Sequence, residues 1–272
     1  MFEIEQVIYR PGYKGEGFQT AIGYYEGQKV IIKSGDTRLD KEAKTLLDVD
    51  YPGIPKVIEW IREKDDNRHL ILEYLEGEGL DRVIKLDSNW NSEKVTLDEA
   101  CFVVGGLANC LSALRNRGYL YRDLNLNHVL VGESQVSLID MEACEQEVLP
   151  GVWRVSSKAG TWETMAEEEF SVGNQLSEST NTYMLGVVAL QLVTGSNPFF
   201  VEPSLVPDPE KRREYAWGLH AQNPKINTED ESMSQFLNQA LASDPSQRFE
   251  TINDFQSNLS QAVLSSTTKS VK

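Results

Sequence analysis

Hydrophobic positions along the chain follow two rhythms, and the change between them falls near residue 76. Before it, the runs FQTAIGYY, KVIIK, KVIEWI and HLILEYL are rich in β-branched and aromatic residues. They are separated by glycine or charged turns such as YEGQ and EKDDN, the pattern of short strands. One helix interrupts them, with Leu39, Ala43, Leu46 and Leu47 on one face behind a start at Ser34-Gly35-Asp36. Residues 1–75 are therefore expected to form a five-stranded sheet with one helix.

Beyond residue 76 the period lengthens. Thr96 and Glu99 have the spacing of a capping box, and Val103, Leu107, Leu111 and Leu114 then repeat at helical intervals until Gly118. Residues 182–194, TYMLGVVALQLVT, are apolar nearly all round, which suits a helix buried on every side. Two more helices are expected at 231–242 and 251–264, the second opening on Thr251 with Asp254 in the capping position. The expected division is a β-rich unit over 1–75, a helical unit over 76–264 and a frayed tail over 265–272, together an α+β fold.

Charge narrows the partners. The 272 residues carry 26 Lys plus Arg against 42 Asp plus Glu, a net charge of −16. That sign disfavours nucleic acid and anionic membrane surfaces. Cys101, Cys110 and Cys144 share no CxxC spacing and read as thiols in a reducing compartment. His69, His128 and His220 are scattered, so no zinc pattern can be assembled. The start, MFEIEQVIYR, has no apolar signal region, and no apolar run approaches the ~20 residues a bilayer needs. The expectation is a soluble, cytoplasmic protein.

The chemistry concentrates in 119–140, YLYRDLNLNHVLVGESQVSLID, where a polar loop lies between a helix end and two short apolar strands. Asp123 and Asp140 flank the polar stretch and can converge on one cleft. Here the chain resembles the protein kinase family: Tyr121-Arg122-Asp123-Leu124 and Asp140-Met141-Glu142 stand for its HRDL and DFG motifs. The likeness continues in order, through KVIIK, DYPGI, LILEYLEG, GTWETMAEEEF, LVTGSNPF and DPSQRF. It implies a bilobal kinase-like fold that binds ATP with Mg²⁺ or Mn²⁺ and acts on a protein substrate or regulates a protein partner.

The resemblance also implies roles. Lys33 would grip the α- and β-phosphates with Glu42 as its partner, and Gly15 and Gly17 would belong to the phosphate loop, where Thr20 replaces the third glycine. Leu72 would back the purine pocket, with the backbone of Glu73 and Leu75 against adenine. Asp123 would accept or orient the substrate hydroxyl, and Asp140 would hold the metal. Arg122 would receive a phosphorylated segment containing Ser156, Ser157 and Thr161. Glu168 and Arg248 would form a buried two-pronged pair.

Departures accompany the match. His128 stands where the family has its metal-binding Asn, and Asn125 replaces a Lys that would neutralise the γ-phosphate. Met141-Glu142 replaces Phe-Gly, and Asn181 replaces an Asp that ties down the catalytic loop. Two functional classes stay open: an atypical Ser/Thr kinase, and a pseudokinase that binds nucleotide or a partner without phosphotransfer. Transfer of AMP or another group on the same fold is a third.

Overall fold

In the computed structural model five antiparallel strands, Phe2–Ile8 (β1), Gln19–Tyr25 (β2), Gln28–Gly35 (β3), Val57–Arg62 (β4) and Arg68–Glu73 (β5), pair in the order β1-β2-β3-β5-β4. Described are residues 2–8, 19–63, 66–223 and 225–269, the last three as backbone. Strand alternation gives the sheet two faces. Val30, Ile32 and Ile71 pack together on one, under Phe2, Tyr25 and Ile61. Leu70 and Leu72 join the main core on the other, with Ile31 packed against it, and parity places Lys33 on that same side.

The helix Leu39–Asp48 (α1) covers this second face and buries Leu39, Glu42, Ala43, Thr45 and Leu46. Leu47, expected on the packed stripe, is exposed. The helix is rolled so that its buried arc takes in Glu42 and Thr45, and at ~100° per residue this turns position 47 outward. Its start also differs from expectation. Ser34 and Gly35 still belong to β3, and α1 begins after Arg38, which makes no side-chain cap.

The remainder is mainly helical. Short elements come first: Glu78–Gly79 (β6) and Leu80–Val83 (α2), then the long helix Leu97–Arg115 (α3). The capping box of α3 forms, with the Glu99 N–H donating to Thr96 Oγ1 at 3.3 Å and the Thr96 N–H to Glu99 Oε2 at 2.8 Å. By length and composition α3 could cross a membrane, which corrects the sequence estimate that no stretch could. Its buried Val103, Leu107 and Leu111 nevertheless pack into the main core.

Small sheets follow: Tyr119–Leu120 (β7) pairs with Glu145–Gln146 (β10), Val129–Val131 (β8) with both β6 and Val136–Leu138 (β9), and Trp153–Arg154 (β11) with Gln175–Leu176 (β12). The apolar run at 182–194 is the body of Glu178–Thr194 (α4), which is buried along nearly its whole length and ends at Gly195 with φ 75°. Only a residue without Cβ adopts that left-handed stop cheaply.

Three α-helices complete the described residues: Pro209–Ala221 (α5), Glu231–Ala240 (α6) and Ile252–Lys269 (α7). Helix α5 was not anticipated, because its exposed, mixed-charge sequence lacks an apolar stripe; Asp208 caps it and Pro209 opens it. The tail expected to fray from 265 instead continues α7 to Lys269. Ser265 and Ser266 hydroxyls bond the carbonyls of Gln261 and Ala262, and Ser266 is buried.

Candidate active site

Lys33 projects from β3 toward α1, where its Nζ lies 2.5 Å from Glu42 Oε1 and 3.2 Å from Asp140 Oδ1. All three side chains are nearly buried. Asp140 follows β9 with φ 68°, a left-handed conformation that Asp tolerates better than most residues. The turn points its carboxylate back at Lys33. The Met141 N–H then donates to Glu42 Oε1 at 3.2 Å, and the Met141 side chain is fully buried in the main core.

Asp123 lies on the loop after β7, partly exposed, with Oδ2 3.7 Å from His128 Nδ1 and Oδ1 accepting from Thr161 Oγ1 at 2.6 Å. The loop is tied down by the Asn181 amide, which donates to the Tyr121 carbonyl at 2.7 Å. The tie is neutral, as the replacement of the family's Asp by Asn181 implied, and the amide acts in it as donor. Asn125 is engaged within its own loop. Its side chain caps the short turn Leu126–His128, accepting from the Asn127 N–H at 3.2 Å.

That turn places His128, rather than the exposed Asn127, beside Asp140. His128 is buried; its backbone carbonyl accepts from Ile139 N–H at 2.8 Å. Ring Nδ1 lies 3.0 Å from the Asp123 carbonyl, an acceptor only, so Nδ1 carries the proton. In the neutral ring the lone pair then sits on Nε2, 3.7 Å from Asp140 Oδ2. Tyr121, whose hydroxyl donates to the Ile139 carbonyl at 3.1 Å, closes the same corner.

Asp140 and His128 supply one oxygen and one nitrogen donor, and no cluster of three or more His, Cys, Asp or Glu suited to a metal occurs among the described residues. Such a pair fits a cation whose remaining ligands are phosphate oxygens and water, as hard divalent ions bound with a nucleotide usually are. The nitrogen favours a borderline ion over Mg²⁺.

Arg122 is completely buried. It donates through Nη1 to Glu145 Oε1 at 2.7 Å, through Nε to Glu169 Oε1 at 3.3 Å, and through Nη2 to the carbonyls of Ser157 and Ala159 at 3.3 and 3.2 Å. Neither glutamate was singled out from sequence. Glu145 stands beside buried Cys144 in a two-residue strand, and a lone acid there carries no periodic signal. Glu169 sits in an acidic triplet that reads as surface. Burial pushes the Glu169 carboxyl up to about 8, partly offset by Arg122.

Glu168 accepts from both terminal nitrogens of Arg248, and Thr180 Oγ1 adds a bond at 2.8 Å. Leu72 is buried at the inner end of β5; the Glu73 N–H is spent on the Lys56 carbonyl at 2.9 Å, and half-buried Leu75 lies in the link to β6. Gly15 and Gly17 lie outside the described residues.

A five-stranded sheet lobe carrying a Lys–Glu pair, set against a helical lobe that brings two aspartates to the same cleft, defines a bilobal kinase-type fold. The family profile for the protein kinase domain matches residues 20–259, and the chain belongs to that family. It is 30% identical over 219 residues to the serine/threonine-protein kinase max-2 of Caenorhabditis elegans, covering 77% of this chain. It is 27% identical over 258 residues to PknD of Chlamydia abortus and 21% over 226 residues to PrkC of Bacillus subtilis, covering 82% and 83% of this chain. Both are serine/threonine-protein kinases. The matches span 31%, 26% and 33% of those relatives, so this chain corresponds to about a third or less of each. Members of the family typically use ATP with a divalent metal.

Proposed function

We propose that this chain transfers the γ-phosphate of ATP to Ser or Thr hydroxyls of a protein, using a degenerate catalytic loop. The observation that carries the reading is Lys33, held at once by Glu42 and Asp140, with the His128 ring 3.7 Å from a carboxylate oxygen of both Asp140 and Asp123. In this reading Lys33 binds the α- and β-phosphates, and Glu42 keeps its ammonium in place. Asp123 accepts the proton of the substrate hydroxyl, which would replace Thr161 Oγ1 as its hydrogen-bond donor. Asp140 and His128 hold the divalent cation, which when bound neutralises charge on the transferred phosphoryl group. The net charge of −16 favours a basic protein as substrate.

A pseudokinase reading draws on a specific observation: Asn125 caps a turn where a cation would face the γ-phosphate. The deciding experiment is transfer of labelled phosphate from ATP to a basic protein by the native chain and by Asp123→Asn. Transfer lost in the variant supports the enzyme. No transfer by the native chain, with ATP binding retained, supports the pseudokinase. Transfer that survives Asp123→Asn points to different chemistry.

A further inference from the structure

The kinase reading gives Arg122 a phosphate to bind, yet the chain already supplies it with a carboxylate. Glu145 is the centre of that arrangement. Its strand pairs with β7 opposite Leu120, which fixes its backbone beside the loop carrying Arg122 and Asp123. Its side chain is 6% exposed. Oε1 accepts from Arg122 Nη1 at 2.7 Å, from the Ser156 N–H at 2.9 Å and from Ser156 Oγ at 2.8 Å. Oε2 lies 3.6 Å from Lys41 Nζ on α1.

One buried carboxylate therefore joins three parts of the molecule that the site needs in register. Lys41 is the neighbour of Glu42, which holds Lys33. Arg122 is the neighbour of Asp123. Ser156 begins the stretch that runs to Thr161, the donor to Asp123. The arms are unequal. Lys41 is 42% exposed, so its attraction is screened, whereas the Arg122 contact is fully desolvated and breaks only by stranding a buried charge. The rest of the Arg122 fork is also engaged, by Glu169 and the carbonyls of Ser157 and Ala159. An incoming phosphate would have to displace acceptors already in place.

We propose that Glu145 is a positioning residue, a built-in anion that holds Arg122, Asp123 and the 153–161 segment in working register, so that this chain needs no phosphate on that segment. The proposal rests on the kinase reading for what the register serves. It fixes a specific rescue. Ser156 Oγ and Arg122 Nη1 both contact Glu145 Oε1, so an acid at 156 can reach Arg122 when Glu145 is truncated.

The test uses the chain freed of phosphate by phosphatase and checked by mass, and compares native protein, Glu145→Ala and Glu145→Ala/Ser156→Glu. Hydrogen exchange over 153–161 and α1 is read alongside kcat and the KM for ATP. Dephosphorylated native protein should turn over as fast as untreated protein. Glu145→Ala should speed exchange in both regions and lower kcat ~10–100-fold, with KM for ATP changed far less. The double variant should regain protection and most of kcat. Loss of native turnover on dephosphorylation, unchanged exchange and kcat in Glu145→Ala, or no rescue of a folded Glu145→Ala by Ser156→Glu would each overturn the proposal. Should Glu145→Ala not fold, Glu145→Gln keeps the acceptor without the charge: a smaller loss of the same kind supports the proposal, and native values overturn it. If the native chain transfers no phosphate at all, the kinase reading fails by itself, and exchange with its rescue still decides the role of Glu145.

Discussion

Arg248 and Glu168 meet as a two-pronged ion pair, Nη1 at 2.8 Å from Oε1 and Nη2 at 3.0 Å from Oε2. The guanidinium is fully buried, stacks over the Tyr183 ring with its carbon 4.6 Å from the centroid, and also donates to the carbonyls of Ala242 and Ser243. It thereby ties the segment before α4 to the turn before α7. Arg248→Ala should cost ~3–5 kcal/mol, because Glu168 is left with a single hydroxyl donor from Thr180 in a largely desolvated place. Arg248→Lys should recover only part, since an ammonium cannot make the fork. Urea denaturation reads both, and a loss under ~1 kcal/mol for Arg248→Ala would refute the assignment of stability to this pair.

Lys33 is 4% exposed and answers two buried carboxylates, so its removal is a stability event as well as a binding one. Lys33→Met should weaken ATP binding ~10–100-fold, the loss of one charge-assisted contact. It should also lower the unfolding free energy by ~3–5 kcal/mol by stranding Glu42 and Asp140. Lys33→Met/Glu42→Met should regain part of that stability but none of the ATP affinity. Calorimetric titration with ATP and denaturation of the same samples separate the two effects; a double variant no more stable than the single would count against the stranded-charge account.

The fold was legible in the sequence where one pattern decided it. The β-branched apolar runs of β3 and β5, bounded by charged turns, and the unbroken apolar run of α4 each point to one type of element. Thr96 and Glu99 announce the start of α3 by reciprocal caps. The meeting of Lys33, Glu42 and Asp140 was legible through the resemblance of KVIIK and Asp140-Met141-Glu142 to family motifs, which fixes their order along the chain. What escaped was long-range or unpatterned. Nothing local tells that Glu145 meets Arg122 and Ser156, or that Asn125 turns to cap Leu126–His128, since these contacts depend on how short strands dock. Leu47 misled because apolar character was counted without knowing that Glu42 claims the inner face of α1.

Glu169 makes stability depend on pH in a direction opposite to most carboxylates. Burial raises it from an ordinary 4.5 to about 8, Arg122 pulls it partly back, and Glu168 adds a smaller upward push. Below pH ~4.5 the group is protonated in both folded and unfolded chains and costs nothing. Between ~4.5 and about 8 the unfolded chain releases the proton first, so this group's contribution is lost as pH rises through that window. Glu169→Gln should therefore gain stability relative to native protein from pH 5 to pH 8.5, measured by urea midpoints across the range. Parallel curves would show that Glu169 does not titrate in this window.

His220 works the other way. Its Nε2 lies 2.9 Å from the Trp162 carbonyl and its Nδ1 2.6 Å from the Tyr183 hydroxyl, and the ring stacks on Phe199 at 4.0 Å. Burial lowers it from 6.5 to about 3. Its contribution is present above pH ~6.5 and is lost as pH falls toward 3, because the unfolded chain takes up the proton first. His220→Gln should cost packing at every pH but flatten the acid limb between pH 6 and 4. An acid limb as steep as in native protein would assign the sensitivity elsewhere.

The donor set beside Asp140 makes a prediction about cation choice that does not depend on turnover. His128 Nδ1–H donates to the Asp123 backbone carbonyl, and in the neutral ring Nε2 is then the lone-pair donor, 3.7 Å from Asp140 Oδ2. That distance is too long for a hydrogen bond, but two donors each ~2.0–2.2 Å from one ion can be up to ~4.4 Å apart. An imidazole nitrogen suits Mn²⁺ better than Mg²⁺, whereas an amide oxygen suits both. With ATP present, Mn²⁺ should raise the melting temperature of the native chain more than Mg²⁺ at equal concentration, and His128→Asn should narrow or reverse that difference. Asp140→Asn should remove the response to both ions, since Asp140 supplies the anionic ligand. Equal Mn²⁺ and Mg²⁺ shifts in the native chain, unchanged by His128→Asn, would mean that Nε2 takes no part. Because the readout is melting temperature, the result stands whether or not phosphate is transferred.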